Sequence, residues 1–307
     1  MNNPIIEQIS HQISNALKQL INPINFLKLM LQQQWKFIVA LCMSLILAVS
    51  LNPLIASALD LSDLFRILPS AVQIIQLSSI GDNDEVALGR QIDGQIRQEV
   101  RISNDRAANA LVSRLGQMLA ARSDRPNIPY TFRVVDDKNL NAFATMGGFV
   151  YINTGTIAAS DNIAQLASVI GHEIGHITGR HALEQMKQMA IAQGIATIAG
   201  VADDRLVNIG VNLALRLPNS REAEFDADRR GLLNITRAGF APSAMPAFMQ
   251  KLARAGGGGN ALAFLNTHPA TSDRINALNQ SIRENNLAGS GGLNDSDYQR
   301  IWRNRFR

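Results

Sequence analysis

This 307-residue sequence predicts an α+β fold, mainly helical with a small β-sheet, preceded by an N-terminal membrane segment. Three observations carry that expectation. Residues 37–59 hold no charge, two short segments (130–135 and 148–153) alternate apolar with polar residues, and nearly everything after Asn162 follows a helical period. Hydrophobic residues make up 46% and charged residues 18%, which excludes a disordered chain. A polytopic membrane protein, which would need several uncharged and predominantly apolar runs of about 20 residues, is excluded as well. A single cysteine excludes an intramolecular disulfide framework and any cysteine-rich metal module. The net charge of +4 is located at the ends: three Lys against one Glu in residues 1–36, and four Arg against two Asp in residues 286–307. The body between them is neutral, which argues against a nucleic-acid-binding face.

Taken in order, residues 1–36 form a basic region in which Ile5, Ile9, Ile13, Leu17 and Leu20 recur at helical spacing, as in a helix lying on a membrane surface. Residues 37–59 are long enough to cross a bilayer as a signal peptide or a single anchor. Lys28 and Lys36 before the run and Asp60 and Asp63 after it place the N-terminus in the cytoplasm and export the remainder. Ala56-Ser57-Ala58 offers a small-residue cleavage site, so retention and removal of the segment both stay open. Residues 60–81 read as a connector, 82–285 as the main domain and 286–307 as a basic C-terminal tail. Helices are expected from Asp82 or Asp84 to about Val100 and from Asp105 to Arg122. Strands are expected at Tyr130–Val135 and Gly148–Asn153. Helical patterns then run on, broken at Pro218, Ala241-Pro242, Gly256–Gly259 and His268-Pro269.

The chemistry concentrates in Val169-Ile-Gly-His172-Glu173-Ile-Gly-His176-Ile-Thr-Gly-Arg180-His181, where three of the five histidines fall within ten residues. Histidines at i and i+4 stand one turn apart on one helix face and can ligate a single Zn²⁺ at about 2.0–2.1 Å. A helical projection puts Ile163, Leu166, Ala167, Ile170, Ile174 and Ile177 on one side and His172, Gly175, His176 and Gly179 on the other. The pair therefore lies among small residues that admit a metal and a closely packed partner helix, with Glu173 at the flank. Position 182 is Ala and His181 comes one residue early, so a further histidine ligand of the His-x-x-Gly-x-x-His kind is not supplied here. The third ligand is expected from Ser220-Arg-Glu222-Ala-Glu224-Phe-Asp226-Ala-Asp228. There a carboxylate ligand and a carboxylate one turn later share a face, the later one accepting the free N–H of a ligating histidine. Spacing alone allows Glu222/Asp226 or Glu224/Asp228.

Four stretches in order resemble the gluzincin metallopeptidase family of the CAAX prenyl protease, HtpX and BepA, and the BepA-like soluble-domain branch most closely. They are Asn141-Ala-Phe-Ala through Asn153-Thr-Gly, His172–His181, Ser220-Arg through Asp228, and Thr267-His-Pro through Arg274-Ile. The resemblance spans roughly residues 82–285 and implies a zincin-type metalloprotease domain with one zinc per chain. It implies His172, His176 and Glu224 as ligands, Glu173 as the base, and Asp228 with Arg274 supporting the ligands from behind. Gly147, Gly148, Phe149 and Val150, continuing into Tyr151, resemble the family's edge strand, to which a peptide adds antiparallel. His268 is implied to reach the site, either donating to an oxyanion or occupying the open zinc position. Glu222 and Asp226 are left as solvated or structural carboxylates, and His181 reads as a structural histidine. HtpX relatives carry extra membrane helices, but Met189–Ala202 is only moderately apolar and too short for one.

The expected function is therefore zinc-dependent cleavage of misfolded or membrane-associated envelope proteins, with protein substrates, the membrane as partner and the catalytic domain on the extracytoplasmic side. A chaperone or adaptor that keeps the zinc fold with secondary proteolysis is the second reading. A purely structural zinc site would close four protein ligands and have no use for Glu173. The oligomeric state is not legible.

Overall fold

Asp82, Asp84 and Glu85 crowd the first turn of α1 (Asp82–Glu99), where carboxylates complement the positive end of the helix dipole. In α2 (Arg106–Ala120) the cap is explicit: the Asp105 carboxylate accepts from the backbone N–H groups of Ala107 and Ala108. Its buried stripe includes Ala108, Leu111, Leu115 and Leu119, as the sequence period requires. The molecule is seen in a computed structural model that describes residues 80–192, 204–254, 262–269, 272–294 and 296–306. The expectations for residues 1–36, 37–59, most of the 60–81 connector, residues 193–202 and the glycine run at 256–259 lie outside these described residues.

Three strands follow: β1 (Thr131–Val135), β2 (Ala142–Thr145) and β3 (Phe149–Asn153), in the order β1-β3-β2. β3 runs parallel to β1 and antiparallel to β2. This corrects the expected edge strand. Phe149 and Val150 lie in the central strand, whose hydrogen-bonding groups are taken by neighbours on both sides, so no peptide can add there. The faces of β3 serve two apolar clusters, Val150 and Ile152 in one and Phe149 and Tyr151 in the other. Gly147 and Gly148 form the corner between β2 and β3 at φ +76° and +96°. A Cβ at Gly147 would stand 2.8 Å from the Glu85 carbonyl oxygen, so the corner packs directly on α1.

After α3 (Thr154–Ala159) comes α4 (Ile163–Thr178), capped by the Asn162 side chain accepting from Gln165 N–H and buried from Ala164 to its end. α5 (His181–Ala192) and α6 (Asp204–Leu215) cover one side of the sheet through Met186, Leu206, Ile209 and Val211. α7 (Arg221–Arg237) starts after the break at Pro218 and crosses α4 at backbone distance. A Cβ at Gly175 would fall 2.5 Å from the Ala227 carbonyl oxygen, and one at Gly231 would fall 2.9 Å from the Gly171 carbonyl carbon. α8 (Ala244–Arg254), α9 (Leu262–Thr267) and α10 (Ser272–Glu284) complete the helical body.

The 286–307 segment departs from the expected tail. Its helix α11 (Ser296–Arg305) packs back on the domain, with Tyr298 buried and its hydroxyl donating to the Ile157 carbonyl. Trp302 and Phe306 lie against the larger apolar cluster. Among the described residues no helix is long and apolar enough to cross a membrane.

Candidate metal centre

Two helices and one loop build the centre. α4 presents His172, Glu173 and His176. α7, capped by Ser220 accepting from Ala223 N–H, presents Glu224 and Asp228 one turn apart. The glycines at the α4–α7 crossing let the backbones touch, which brings the Glu224 carboxylate onto the His pair. His268 follows α9, its N–H donating to the Phe264 carbonyl and its ring stacked on Phe264.

One ligand atom from each of His172, His176, Glu224 and His268 lies within 4.8 Å of the others, and all four residues are buried. His172 Nε2 is 3.1 Å from His176 Nε2 and 3.4 Å from a Glu224 oxygen, and His176 Nε2 is 3.2 Å from the other Glu224 oxygen. His268 Nδ1 is 3.3 Å from His172 Nε2 and 2.9 Å from Glu224 Oε1. A tetrahedral zinc with bonds of about 2.0–2.1 Å has ligand–ligand edges of about 3.3–3.4 Å. Donor type and spacing therefore fit such an ion, with His268 at the fourth corner.

Behind these atoms, His172 Nδ1 lies 3.0 Å from Asp228 Oδ1. Arg274 donates to both Asp228 oxygens at 2.7 Å, pairs with Glu224 at 2.6 Å and donates to the Pro269 carbonyl at 2.8 Å. Asn219 Nδ2 is 3.5 Å from His268 Nδ1. Glu173 is fully buried, with neither oxygen hydrogen-bonded among the described residues, and His268 Nε2 stands 3.7 Å from it. A cavity lined by Ala144, Thr145, Met146, Leu213, Glu173 and His176 opens beside them. The strand along this cavity is β2, so the sheet edge near Glu173 is Ala142–Thr145, a strand the sequence pattern does not mark.

The electrostatics divide the His pair. Burial disfavours a charged His172, but hydrogen bonding to Asp228 and Glu224 outweighs it and pushes the imidazole up to about 10. His176 is pushed down to about 3, chiefly by burial. Burial likewise raises the Glu173 carboxyl. Glu224 is held well below the usual range: burial opposes this, and the charges and hydrogen bonds of His268, His172 and His176 prevail.

Of the residues singled out in the sequence, His172, Glu173, His176, Glu224, Asp228, His268 and Arg274 converge. Gly147 and Gly148 sit at the β2–β3 corner, Phe149 and Val150 lie inside the sheet, and Glu222 is exposed. His181 was placed away from the metal face, but its Nδ1 is 3.0 Å from His176 Nδ1 and its Nε2 is 3.2 Å from Asp226. No spacing rule finds that contact, because it depends on a chain reversal at Arg180 (φ +56°).

The model of peptidase family M48 matches residues 106–282, more than half of the chain. The chain belongs to peptidase family M48. A metallopeptidase family implies a metal cofactor, and the buried His172/His176/Glu224/His268 group is where this M48 chain gathers donors for one. A Vibrio cholerae protein provisionally named a beta-barrel assembly-enhancing protease is 31% identical over 222 residues, covering 67% of this chain and 46% of the relative. The Escherichia coli K12 beta-barrel assembly-enhancing protease is 29% identical, covering 64% of this chain and 44% of its own. The mitochondrial metalloendopeptidase OMA1 of Arabidopsis thaliana is 37% identical over 166 residues, covering 53% of this chain and 33% of its own. The chain spans less than half the length of these relatives.

Proposed function

We propose that this M48 chain is a zinc-dependent endopeptidase that cleaves misfolded or membrane-associated envelope proteins. His172, His176 and Glu224 are its zinc ligands and Glu173 its base. The observation that carries the reading is the convergence of four donor atoms within 4.8 Å beside a buried carboxylate that accepts no hydrogen bond among the described residues. A bound Zn²⁺ supplies Lewis acidity, polarising a carbonyl and acidifying water next to it. Glu173, unengaged and raised by burial, takes the proton of the attacking water and returns it to the leaving amine. A substrate strand pairs along β2 through backbone hydrogen bonds, which read extended shape rather than sequence and suit unfolded chains. The His268 ring nitrogen stands within 4.8 Å of the ligand atoms of His172, His176 and Glu224, which supports the gating role over the oxyanion role; in that role His268 would give way to water and substrate.

Export with the catalytic domain on the extracytoplasmic side is supported by the 37–59 segment and its flanking charges. Two of the relatives are named for enhancing beta-barrel assembly and one as a mitochondrial metalloendopeptidase. The experiment is degradation of unfolded casein by purified protein. Cleavage that chelation abolishes and zinc restores is expected. Binding of unfolded protein without cleavage at full zinc loading would favour the chaperone reading instead.

A further inference from the structure

His181 and Asp226 are the titratable groups near the centre that the proposed chemistry leaves unused. Their geometry is specific. A histidine that ligates through Nε2 carries its proton on Nδ1, and that N–H needs an acceptor. For His172 the carboxylate facing Nδ1 is Asp228, its Oδ1 at 3.0 Å. For His176 the polar atom facing Nδ1 is His181 Nδ1, at 3.0 Å. Two Nδ1 atoms at that distance bond only if one donates and the other accepts. With His176 donating, the proton of neutral His181 lies on Nε2, which points at Asp226 Oδ2 at 3.2 Å. Asp226 is held in turn by Arg229 and Arg230, and Arg230 by Asp124. Every proton in the series has an acceptor.

The backbone is shaped for this contact. α4 ends at Thr178, Gly179 closes it, and the left-handed Arg180 turns the chain so that α5 begins with His181. Arg180 is anchored in that conformation by ion pairs to Asp82 and Glu85. A Cβ at Gly179 would stand 2.3 Å from His181 Nε2 and 2.9 Å from Asp226 Oδ2, inside the space their hydrogen bond uses. An imidazole in this place also has a chemical rationale. Glu173, Glu224 and Asp228 already bring three carboxylates to the centre, against one Arg274. A fourth carboxylate directly on His176 would add negative charge and weaken the Lewis acidity of the ion, whereas a neutral imidazole orients the ligand without that charge.

We propose that His181, oriented by Asp226, is a positioning residue that fixes the tautomer and ring plane of His176, giving the two ligating histidines separate supports: Asp228–Arg274 for His172 and His181–Asp226–Arg230 for His176. The proposal rests on the reading of His172, His176 and Glu224 as the zinc ligands. It also assigns Asp226 a role, so three of the four carboxylates on α7 that spacing could not separate serve the metal centre, and Glu222 alone does not.

The test is the zinc dissociation constant of the full chain by chelator competition, beside the Co²⁺ absorption spectrum and the melting temperature of the metal-free protein. His181→Ala is expected to weaken zinc about 10- to 100-fold, the scale for losing such a support, and to alter the Co²⁺ bands. Asp226→Ala should weaken it less. The double variant should be no weaker than His181→Ala, because Asp226 acts only through His181. His181→Gln, whose amide oxygen can accept from His176 Nδ1–H, should recover part of the loss. Should His181→Ala not fold, Gly179→Ala carries the test, since its methyl displaces the His181–Asp226 contact while touching no ligand. Wild-type zinc affinity and Co²⁺ bands in these variants, with only the melting temperature lowered, would overturn the proposal. So would two single effects that multiply in the double variant. A wild-type protein that binds no zinc, or a His172→Ala protein that binds it normally, would instead overturn the underlying reading of the centre.

Discussion

Arg274→Ala should be among the most destabilising single changes in the metal-free protein, and the size follows from its contacts. Arg274 is 3% exposed and satisfies two carboxylates, Asp228 through two bonds of 2.7 Å and Glu224 through one contact of 2.6 Å. Both carboxylates are as buried as the arginine, at 3% and 1% exposure. Removing one partner from a buried ion pair costs about 3–5 kcal/mol, and here two carboxylates in a poor solvent would be left with the His172 imidazole in place of the guanidinium. A domain of this size loses about 2–4 °C of melting temperature per kcal/mol, so the metal-free variant should melt about 6–20 °C below wild type. Zinc acts in the opposite direction. A dication bound by Glu224 replaces much of the lost positive charge, so adding zinc should raise the melting temperature more in Arg274→Ala than in wild type. Calorimetric scans with chelator and with zinc measure both quantities. A metal-free variant that melts within about 2 °C of wild type, or a smaller zinc-induced rise, would refute the reasoning, since about 1 kcal/mol is the most that such a shift permits.

The carboxylate assignment predicts that Glu224→Ala loses zinc while Glu222→Ala keeps it; metal analysis giving the reverse would move the site on α7. His268→Ala should raise the rate of casein hydrolysis or self-cleavage, because Nδ1 of His268 sits among the ligand atoms. A fall of about 10²–10³-fold would assign it to the oxyanion instead. The proton on His172, pushed up to about 10 against the effect of burial by Asp228 and Glu224, must leave when a cation takes Nε2. Metal and proton therefore compete, and zinc affinity should rise about tenfold per pH unit across neutral pH. An affinity independent of pH in a chelator titration would show that no proton is displaced.

The His pair and its base were legible because the i, i+4 spacing on a helix leaves one geometry for two imidazoles and a metal. The tight partner helix was legible too, from Gly175 on the metal face. The choice of Glu224 was not, because Glu222, Glu224, Asp226 and Asp228 repeat every second residue and a helix turns them to several faces. Only the depth of the α4–α7 crossing separates them, and that is a tertiary fact. β2 escaped notice because it has four residues and buries Ala142 and Phe143 in succession, so no alternation marks it. The edge-strand expectation for Gly147–Val150 came from the family resemblance, whereas β3 is buried at all five positions, the pattern of a central strand. The C-terminal segment looked like a tail because its arginines dominate its composition, whereas Tyr298, Trp302 and Phe306 decide where it packs. His181 could not be placed at all without the turn at Arg180.

Turnover of unfolded casein by the Glu173→Gln protein, with zinc counted on the same sample, bears most directly on the catalytic reading. The carboxamide keeps the shape of Glu173 but cannot accept the water's proton. One zinc per chain with hydrolysis reduced by about 10²–10⁴-fold is the expected result. Hydrolysis near the wild-type rate at full zinc content would show that Glu173 is not the base and that the peptidase chemistry assigned to this centre is wrong.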